Sequence, residues 1–337
     1  MKLVVLGGGE SGVGAALLGR HLGYEVFLSD KGKLAETYRD ELITHRIAFE
    51  EGQHSMDRIF AAELVVKSPG IPDTVPMVVA LRERGIEVIS EIEFAGRHTE
   101  AKMVCITGSN GKTTTTALTG EIMANYFADV KVVGNIGIPY TSVAADTTEE
   151  TVTVAEISSF QLETTHEFAP AVSAILNITP DHLDRHHTME AYIEAKERVT
   201  AKQKETDTCV LNYEDEVLRE FGKQLHTKVL FFSSRQKLEH GLYLDGEQIF
   251  YADEHGTQLV IHVDELNILG LHNYENVMAA VGMALSIGVP MDKIVEVLKR
   301  FQAVEHRIEY VTEKRGVKFY NDSKGTNPDA AIKGILA

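Results

Sequence analysis

The sequence predicts an α/β protein built mainly on parallel β-sheets. Short apolar segments alternate with helical stretches from the first residues onward, which is typical of βαβ units. Two glycine-rich loops each follow an apolar strand and precede a helix, one beginning at Gly7 and the other at Gly108. After Gly241 the pattern changes to short strands joined by tight turns, so a small antiparallel part is also expected.

Composition and charge exclude several classes of protein. Of the 337 residues, 44% are hydrophobic and 25% are charged, as in an ordinary soluble globular protein. The formal charge of −17 opposes non-specific binding to nucleic acid, so no nucleic-acid partner is expected. No apolar run reaches the roughly eighteen residues of a membrane span, and the N-terminal run is too short for a signal peptide. Two cysteines without CxxC spacing, Cys105 and Cys209, predict reduced thiols in a cytoplasmic protein.

The first predicted domain covers residues 1–97 and has the pattern of a Rossmann-like unit. Strand-helix-strand order of this kind requires parallel pairing. The charged stretch Arg97–Lys102 marks the predicted boundary. The predicted strands are Lys2–Leu6, Tyr24–Ser29, Leu64–Lys67 and Glu87–Ile89, and the predicted helices are Ala15–Leu22 and Val75–Arg84.

The loop Gly7–Gly12 fits the GxGxxG pattern between a strand and a helix. Glycines permit the tight turn and the close backbone approach, and the helix N-terminus attracts phosphate. Asp30 ends the second strand, where a dinucleotide-binding fold keeps the carboxylate that binds its ribose. The loop therefore predicts a nucleotide site, with a glycine-rich turn that binds no ligand as the alternative.

A second domain, residues 98–303, opens with the strand Met103–Thr107 and a P-loop-type phosphate loop. Ile106 stands where the strict P-loop pattern has its first glycine, but Lys112 can reach terminal phosphates and Thr113 can ligate Mg²⁺. A lysine at a helix start opposes the helix dipole, so a purely structural role for Lys112 is the weaker alternative. ATP binding is predicted at Gly108, Ser109, Asn110, Gly111, Lys112, Thr113 and Thr114.

Polar residues follow two further predicted strands of this domain. Glu156 lies near the carboxyl end of Val152–Ile157, where ligands bind in parallel sheets, and a carboxylate there is a good Mg²⁺ ligand. The strand Val172–Ile178 leads into a segment rich in His and Asp, and His182 is the candidate there for a Mg²⁺ or Mn²⁺ site. Solvated acids and loop residues are the alternative interpretation.

Lys196 falls on the apolar face of the predicted helix Met189–Ala201. It follows Met189 and Ile193 at helical spacing. One interpretation is that its amine extends back to solvent. The other is a desolvated lysine with a depressed pKa. Such an amine can bind phosphate, act as a base, or take up CO₂ as a carbamate that ligates metal.

The rest of the chain predicts an insertion, two helices and the start of a third domain. An Asp245-Gly246 turn indicates a hairpin, and with Gln258–Val263 it forms the small antiparallel insertion. Residues 304–337 predict a truncated start of a third α/β domain. The helices are Asn273–Ile287 and Asp292–Phe301, the further strands of the second domain are Val130–Val133, Thr208–Leu211 and Lys228–Phe231, and the final strands lie within Arg307–Tyr320.

Taken together, these motifs resemble the Mur ligase family, which shares its plan with folylpolyglutamate synthase. The resemblance runs through nearly the whole chain, and several motifs look like the D-glutamate-adding member in particular. The matching segments are Thr107–Thr113, Gly134–Gly137, Glu156–Glu163, Asn177–Arg185, Ala191–Arg198, Gly270–Asn276, Glu305–Arg307 and Asn321–Asn327.

The resemblance implies an ATP-dependent amide-forming ligase in cell-wall precursor synthesis. ATP would phosphorylate the carboxylate of UDP-N-acetylmuramoyl-L-alanine, and the amine of D-glutamate would displace the phosphate. The family's pattern gives catalytic roles to Lys112, Asn135, Glu156, His182 and Lys196. It gives metal roles to Thr113, Glu156, His182 and Lys196 as a carbamate, further ATP contacts to Asn273, Asn276, Arg307 and Asp322, and substrate contacts to Ser11, Asp30, Ser68, Pro69, Gly70, Lys324 and Thr326.

One departure from the family's pattern and three alternatives accompany this hypothesis. The family's third domain is a complete unit, whereas this sequence stops at Ala337, so we expect it to bind the uridine nucleotide as a monomer but to ligate poorly. The nearest alternative is another Mur or folylpolyglutamate-type ligase. A nicotinamide-dependent oxidoreductase would use Gly7–Gly12 and Asp30 but leaves the second loop unexplained. A nucleotide-binding regulator without activity is the third.

Overall fold

The structure is a computed structural model that describes residues 1–302, 309–323, 325 and 328–336. Within those residues no helix is both long enough and apolar enough to cross a membrane. Mixed α/β layers with mainly parallel sheets confirm the predicted fold class.

The N-terminal part is a five-stranded parallel sheet in the order β3-β2-β1-β4-β5. The central strands β1 and β4 are almost wholly buried, as expected for parallel strands covered by helices. Strand β3 was not predicted, because its residues are only partly buried and lack an apolar run. The strands are β1 Lys2–Leu6, β2 Glu25–Asp30, β3 Ala48–Glu51, β4 Leu64–Lys67 and β5 Glu87–Ser90, and the helices are α1 Glu10–His21, α2 Glu36–Thr44, α3 Met56–Ile59, α4 Pro76–Glu83 and α5 Glu91–Gly96.

The central part is a nine-stranded sheet in the order β14-β13-β12-β11-β10-β9-β6-β8-β7. Its strands from β6 to β11 pair in parallel, so their carboxyl ends meet at one edge. The strands are β6 Lys102–Thr107, β7 Val130–Gly134, β8 Val152–Glu156, β9 Val172–Ile175, β10 Thr208–Asn212, β11 Lys228–Ser233, β12 Gly241–Asp245, β13 Gln248–Asp253 and β14 Gly256–His262. The helices are α6 Lys112–Ala124, α7 Ser159–Leu162, α8 Leu183–His186, α9 Met189–Glu197, α10 Glu216–Gly222, α11 Leu271–Ser286 and α12 Met291–Leu298.

The antiparallel strands extend this sheet instead of forming a separate unit. The hairpin turn was predicted correctly, since β12 ends at Asp245, β13 begins at Gln248, and Gly246 has a φ of 59°. Local pattern could not show where the hairpin docks. Strand β12 pairs in parallel with β11 through two residue pairs, Phe232 with Leu242 and Ser233 with Tyr243.

The last described elements are the hairpin β15 Glu309–Lys314 with β16 Val317–Asn321, followed by α13 Pro328–Leu336. The hairpin confirms the strands predicted before Asn321. Three predicted site residues, Arg307, Lys324 and Thr326, lie outside the described residues.

A buried carboxylate joins the first sheet to the central one. Glu93 on α5 is fully buried and accepts backbone N–H groups from three successive residues: His166 at 3.1 Å, Glu167 at 3.0 Å and Phe168 at 3.0 Å. Arg97 donates its Nε to the same carboxylate at 2.7 Å. Because a buried charge needs this many donors, Glu93 fixes α5 to the central part.

We therefore expect Glu93→Ala to lower the free energy of unfolding by about 3 kcal/mol or more, since it leaves three backbone N–H groups without their acceptor and removes one of the two carboxylates that pair with Arg97. Urea unfolding measures the change. Glu87→Ala is the matched control, because Glu87 pairs with the same arginine but is 44% exposed, and there we expect less than about 1 kcal/mol. Equal losses in the two variants would contradict the assignment.

Candidate functional site

The phosphate loop connects β6 to α6 through two glycines of unusual conformation. Gly108 has a φ of 144° and Gly111, which precedes the first residue of α6, a φ of 87°. These conformations favour glycine, and the N–H groups at the start of a helix such as α6 can bind an anion because they have no partner within the helix. The Lys112 amine donates to Gly108 O and Ser109 O, both at 2.9 Å, so it lies folded over the loop.

A neighbouring asparagine braces this loop. Ser109 N donates to Asn177 O at 2.9 Å, Asn110 N donates to Asn177 Oδ1 at 2.9 Å, and the Asn177 amide returns a bond to Asn110 O at 3.0 Å. Asn177 follows β9, so the loop after β6 is fixed by the adjacent strand. The sequence placed Asn177 in a matching segment but gave it no role.

The first turn of α11 reaches the start of α6. Asn276 Oδ1 accepts from the Thr115 hydroxyl at 3.2 Å, and Asn276 Nδ2 donates to Asn273 Oδ1 at 3.2 Å. Asn273 Nδ2 in turn donates to Leu269 O at 2.7 Å, which shows that it also organises the start of its helix. A Cβ on Gly111 would lie 2.3 Å from Asn276 Oδ1, so only glycine fits between the two elements.

Glu156 is the last residue of β8, and one of its two carboxylate oxygens has no hydrogen-bond partner. Its side chain is buried, Oε1 accepts from Asn135 Nδ2 at 3.0 Å, and Oε2 is buried without a hydrogen-bond partner. A buried carboxylate oxygen in this state suits a hard cation. In the described part of the chain no group of three or more His, Cys, Asp or Glu could hold a metal alone, so phosphate and water oxygens would complete the shell, as is usual for Mg²⁺.

His182 lies on the loop before α8, with its side chain 52% exposed. Its backbone has φ 53° and ψ 30°, the left-handed region that non-glycine residues rarely adopt. The ring lies 4.9 Å from that of Phe160, centroid to centroid, and its Nε2 lies 3.7 Å from Asp181 Oδ2. His182 thus lies beside Phe160 and Asp181, and a role in metal binding stays a prediction.

Lys196 is buried inside the site, with 1% of its surface exposed, so its amine does not extend to solvent. The amine donates to Gly108 O at 2.8 Å and lies 4.5 Å from the centroid of the Tyr192 ring. Gly108 O therefore accepts from both Lys112 and Lys196. Burial first, and then the charge of Lys112, hold the pKa of Lys196 well below its usual range, while Asp181 opposes the shift.

The first glycine loop is organised by Asp30. One oxygen of this carboxylate accepts from Gly8 N at 2.5 Å and the other from Gly32 N at 2.6 Å. Asp30 therefore shapes the loop through backbone bonds, and contact with a ribose stays a prediction. The Ser68 side chain lies against Gly7, where a Cβ would come within 2.4 Å of Ser68 Oγ.

The predicted residues thus fall into separate groups. The structure brings together Lys112, Lys196, Asn273 and Asn276 around the phosphate loop, and it pairs Glu156 with Asn135. Thr113 and Thr114 lie in the first turn of α6, next to Lys112. Ser11 and the segment from Ser68 to Gly70 lie at the carboxyl edge of the first sheet. Asp322 follows β16, where its carbonyl accepts from Gly325 N.

Comparisons with known proteins identify the family of this chain. The chain matches the Mur ligase middle domain over residues 106–284 and the MurD N-terminal domain over residues 2–76. Curated relatives named UDP-N-acetylmuramoylalanine–D-glutamate ligase include those of Lachnoclostridium phytofermentans, 50% identical, and Lachnospira eligens, 48% identical. The alignments cover 100% and 99% of this chain and 75% of each relative, so the chain spans about three quarters of their length.

Solved structures show the same fold at lower identity. The UDP-N-acetylmuramate:L-alanyl-γ-D-glutamyl-meso-diaminopimelate ligase of Neisseria meningitides has a TM-score of 0.63 and 19% identity, with 90% of this chain and 99% of that chain covered. The UDP-N-acetylmuramate–alanine ligase of Thermotoga maritima has a TM-score of 0.59 and 21% identity, covering 99% and 76%. The chain belongs to the Mur ligase family, and its similar curated relatives are UDP-N-acetylmuramoylalanine–D-glutamate ligases.

Proposed function

We propose that this protein is an ATP-dependent ligase that adds D-glutamate to UDP-N-acetylmuramoyl-L-alanine in peptidoglycan precursor synthesis. The observation that carries the proposal is the convergence of Lys112 and Lys196 on Gly108 O within the phosphate loop, in a chain whose relatives bear that name. In the proposed site, the Lys112 amine would stabilise negative charge that develops on the transferring phosphate, with Lys196 beside it.

In the proposed reaction, a carboxylate oxygen of the L-alanyl group attacks the terminal phosphorus of ATP, and ADP leaves. The nitrogen of D-glutamate then attacks the acyl carbon, loses a proton and expels inorganic phosphate from a tetrahedral intermediate. Lys112 and the N–H groups at the start of α6 would hold the phosphates, with Asn273 and Asn276 supporting that loop. Asn135 would orient Glu156 through their hydrogen bond.

Thr113, Glu156 and His182 are the residues that would hold Mg²⁺ or Mn²⁺, which when bound neutralises phosphate charge. Lys196 would complete this set as a carbamate. Burial and the neighbouring charge of Lys112 lower the pKa of the Lys196 amine, which favours the neutral form that reacts with CO₂, and the product would be an anion.

The substrate-binding and domain assignments complete the proposal. Ser11, Asp30, Ser68, Pro69 and Gly70 would receive the uridine nucleotide on the first domain, residues 1–97, with ATP on the second, residues 98–303. Arg307, Asp322, Lys324 and Thr326 would approach from residues 304–337. We also propose a cytoplasmic monomer, in keeping with two buried free cysteines, Cys105 and Cys209.

Calorimetry with UDP-N-acetylmuramoyl-L-alanine tests the substrate directly, using UDP and NAD⁺ as controls. We expect saturable binding that is at least about tenfold tighter than for UDP, because the muramoyl and alanyl groups add contacts worth more than about 1.4 kcal/mol. We expect no binding of NAD⁺. Binding of NAD⁺ without the muramoyl nucleotide would overturn the ligase proposal in favour of an oxidoreductase.

A further inference from the structure

One arginine touches both a loop of the first sheet and the loop that carries His182. Arg185 Nη2 donates to Glu163 Oε2 at 2.8 Å and lies 3.3 Å from Pro69 O and 3.4 Å from Ile71 O. The two charged side chains are largely buried, with 15% of Arg185 and 16% of Glu163 exposed. This guanidinium is therefore a direct link between the predicted substrate loop and the predicted metal site.

The His182 loop has a conformation that needs such support. His182 and His187, at either end of α8, both have positive φ angles, 53° and 67°. Residues held there cost on the order of 1–3 kcal/mol each and persist only when their surroundings fix them. Two adjacent side chains of α8 provide this: Arg185 bonds Glu163, and His186 Nε2 forms a hydrogen bond with Ser159 Oγ at 2.9 Å.

The other end of the link is equally well fixed. Lys67, with 1% of its surface exposed, donates to Ile71 O at 2.7 Å and forms an ion pair with Asp73 at 3.1 Å. Ile71 O thus lies within reach of two buried cations, from Lys67 and Arg185. The segment from Pro69 to Asp73 cannot shift without breaking one of these contacts.

We propose that Arg185, held by Glu163, is a positioning residue that sets the Pro69–Ile71 segment against the His182 loop. A uridine nucleotide bound at Ser68–Gly70 would thereby present its acyl carboxylate to the phosphate-transfer site in a fixed register. The inference rests on the proposed function. Misplacing reacting groups by about 1 Å can cost about 10²-fold in rate, so a link of this kind affects catalysis without touching the reacting atoms.

The test is Arg185→Lys, which keeps the charge but loses the planar fork that reaches several acceptors. We expect the Kd for UDP-N-acetylmuramoyl-L-alanine to rise about tenfold in this chain, and kcat/KM for it to fall about 10²-fold in a full-length version of the enzyme. The Kd for a non-hydrolysable ATP analogue should change less than about twofold. Arg82→Lys is the matched control, since Arg82 bonds Asp73 from an exposed position, and it should leave both affinities unchanged.

Glu163→Gln, nearly isosteric, gives a second readout and replaces the arginine variant if that fails to fold. Its effect should have the same direction and should not add to that of Arg185→Lys, because both remove one link. Wild-type affinity in both variants would overturn the inference, as would equal losses for both ligands with a lower unfolding midpoint, which would indicate a structural role only. Failure of the wild-type chain to bind the muramoyl nucleotide would instead refute the proposed function, and the inference with it.

Discussion

Lys196→Arg should lower ligase kcat/KM by about 10³-fold, the loss typical of removing one preorganised electrostatic group. The substitution keeps a long basic side chain, so the loss would come from chemistry that a guanidinium cannot perform. Arginine stays protonated and cannot form a carbamate. The buried amine of Lys196, whose pKa is held well below its usual range by desolvation, can do so. Because the chain spans three quarters of its relatives' length, phosphate release with the muramoyl nucleotide, ATP and D-glutamate is measured in a full-length version of the enzyme.

Replacing Lys196 should lower activity but should not lower the free energy of unfolding. The unfolded chain binds more protons at Lys196 than the folded chain, between the lowered pKa and the ordinary value of 10.5, so its contribution to stability rises with pH in that window. Lys196→Met lacks this slope, and its free energy of unfolding at about pH 7 should equal or exceed that of wild type. Urea unfolding at about pH 7 and about pH 9 separates the two chains.

Three outcomes would count against the role of Lys196. Wild-type turnover by the Lys196→Arg variant would exclude a carbamate requirement. A mass spectrum or a crystal electron density that shows no CO₂ added to the wild-type Lys196 amine would count directly against the carbamate. A Lys196→Met variant much less stable than wild type at neutral pH would mean that the bond to Gly108 O outweighs the cost of burial.

Local pattern was sufficient for features that depend on near neighbours in the chain. Helical spacing placed Lys196 on the apolar face of α9, and the structure buries it. The strand-loop-helix context placed the phosphate loop at β6 and α6. The helix after the first glycine loop was predicted to begin at Ala15, but it begins at Glu10. Glycines are tolerated in its first turns because they pack closely against other parts of the protein. A Cβ on Gly14, for example, would lie 2.6 Å from Thr141 Oγ1 of the central part.

Contacts between distant segments were beyond reach of the sequence. Arg185 meets Pro69 across 116 positions, and Glu163 showed no sign that it would receive that arginine. The burial of Lys67 was not predicted, although a lysine that ends an apolar strand before a Ser-Pro-Gly turn could have indicated it. Strand β9 ends at Ile175, three residues earlier than predicted, because Asn177 turns to brace the phosphate loop.

Glu156→Gln should reduce ligase kcat by about 10³-fold while leaving the fold intact. Glutamine retains the oxygen that accepts from Asn135 but replaces the anionic Oε2, the buried atom without a partner, by a neutral group. If that oxygen binds metal, Mn²⁺ affinity in the presence of a non-hydrolysable ATP analogue should fall about tenfold or more, as followed by electron paramagnetic resonance.

The free energy of unfolding tests the Glu156→Gln substitution independently of activity. Removing a buried charge that has one hydrogen bond should not destabilise the protein, and the free energy of unfolding should stay within about 1 kcal/mol of wild type. Glu150→Gln makes the same charge change at an exposed position before β8 and should leave Mn²⁺ binding and turnover unaltered.

Asn135 orients the Glu156 carboxylate through a hydrogen bond, so Asn135→Ala should weaken Mn²⁺ binding less than Glu156→Gln does. The reverse order would show that the metal requires the asparagine and not the unpaired carboxylate oxygen.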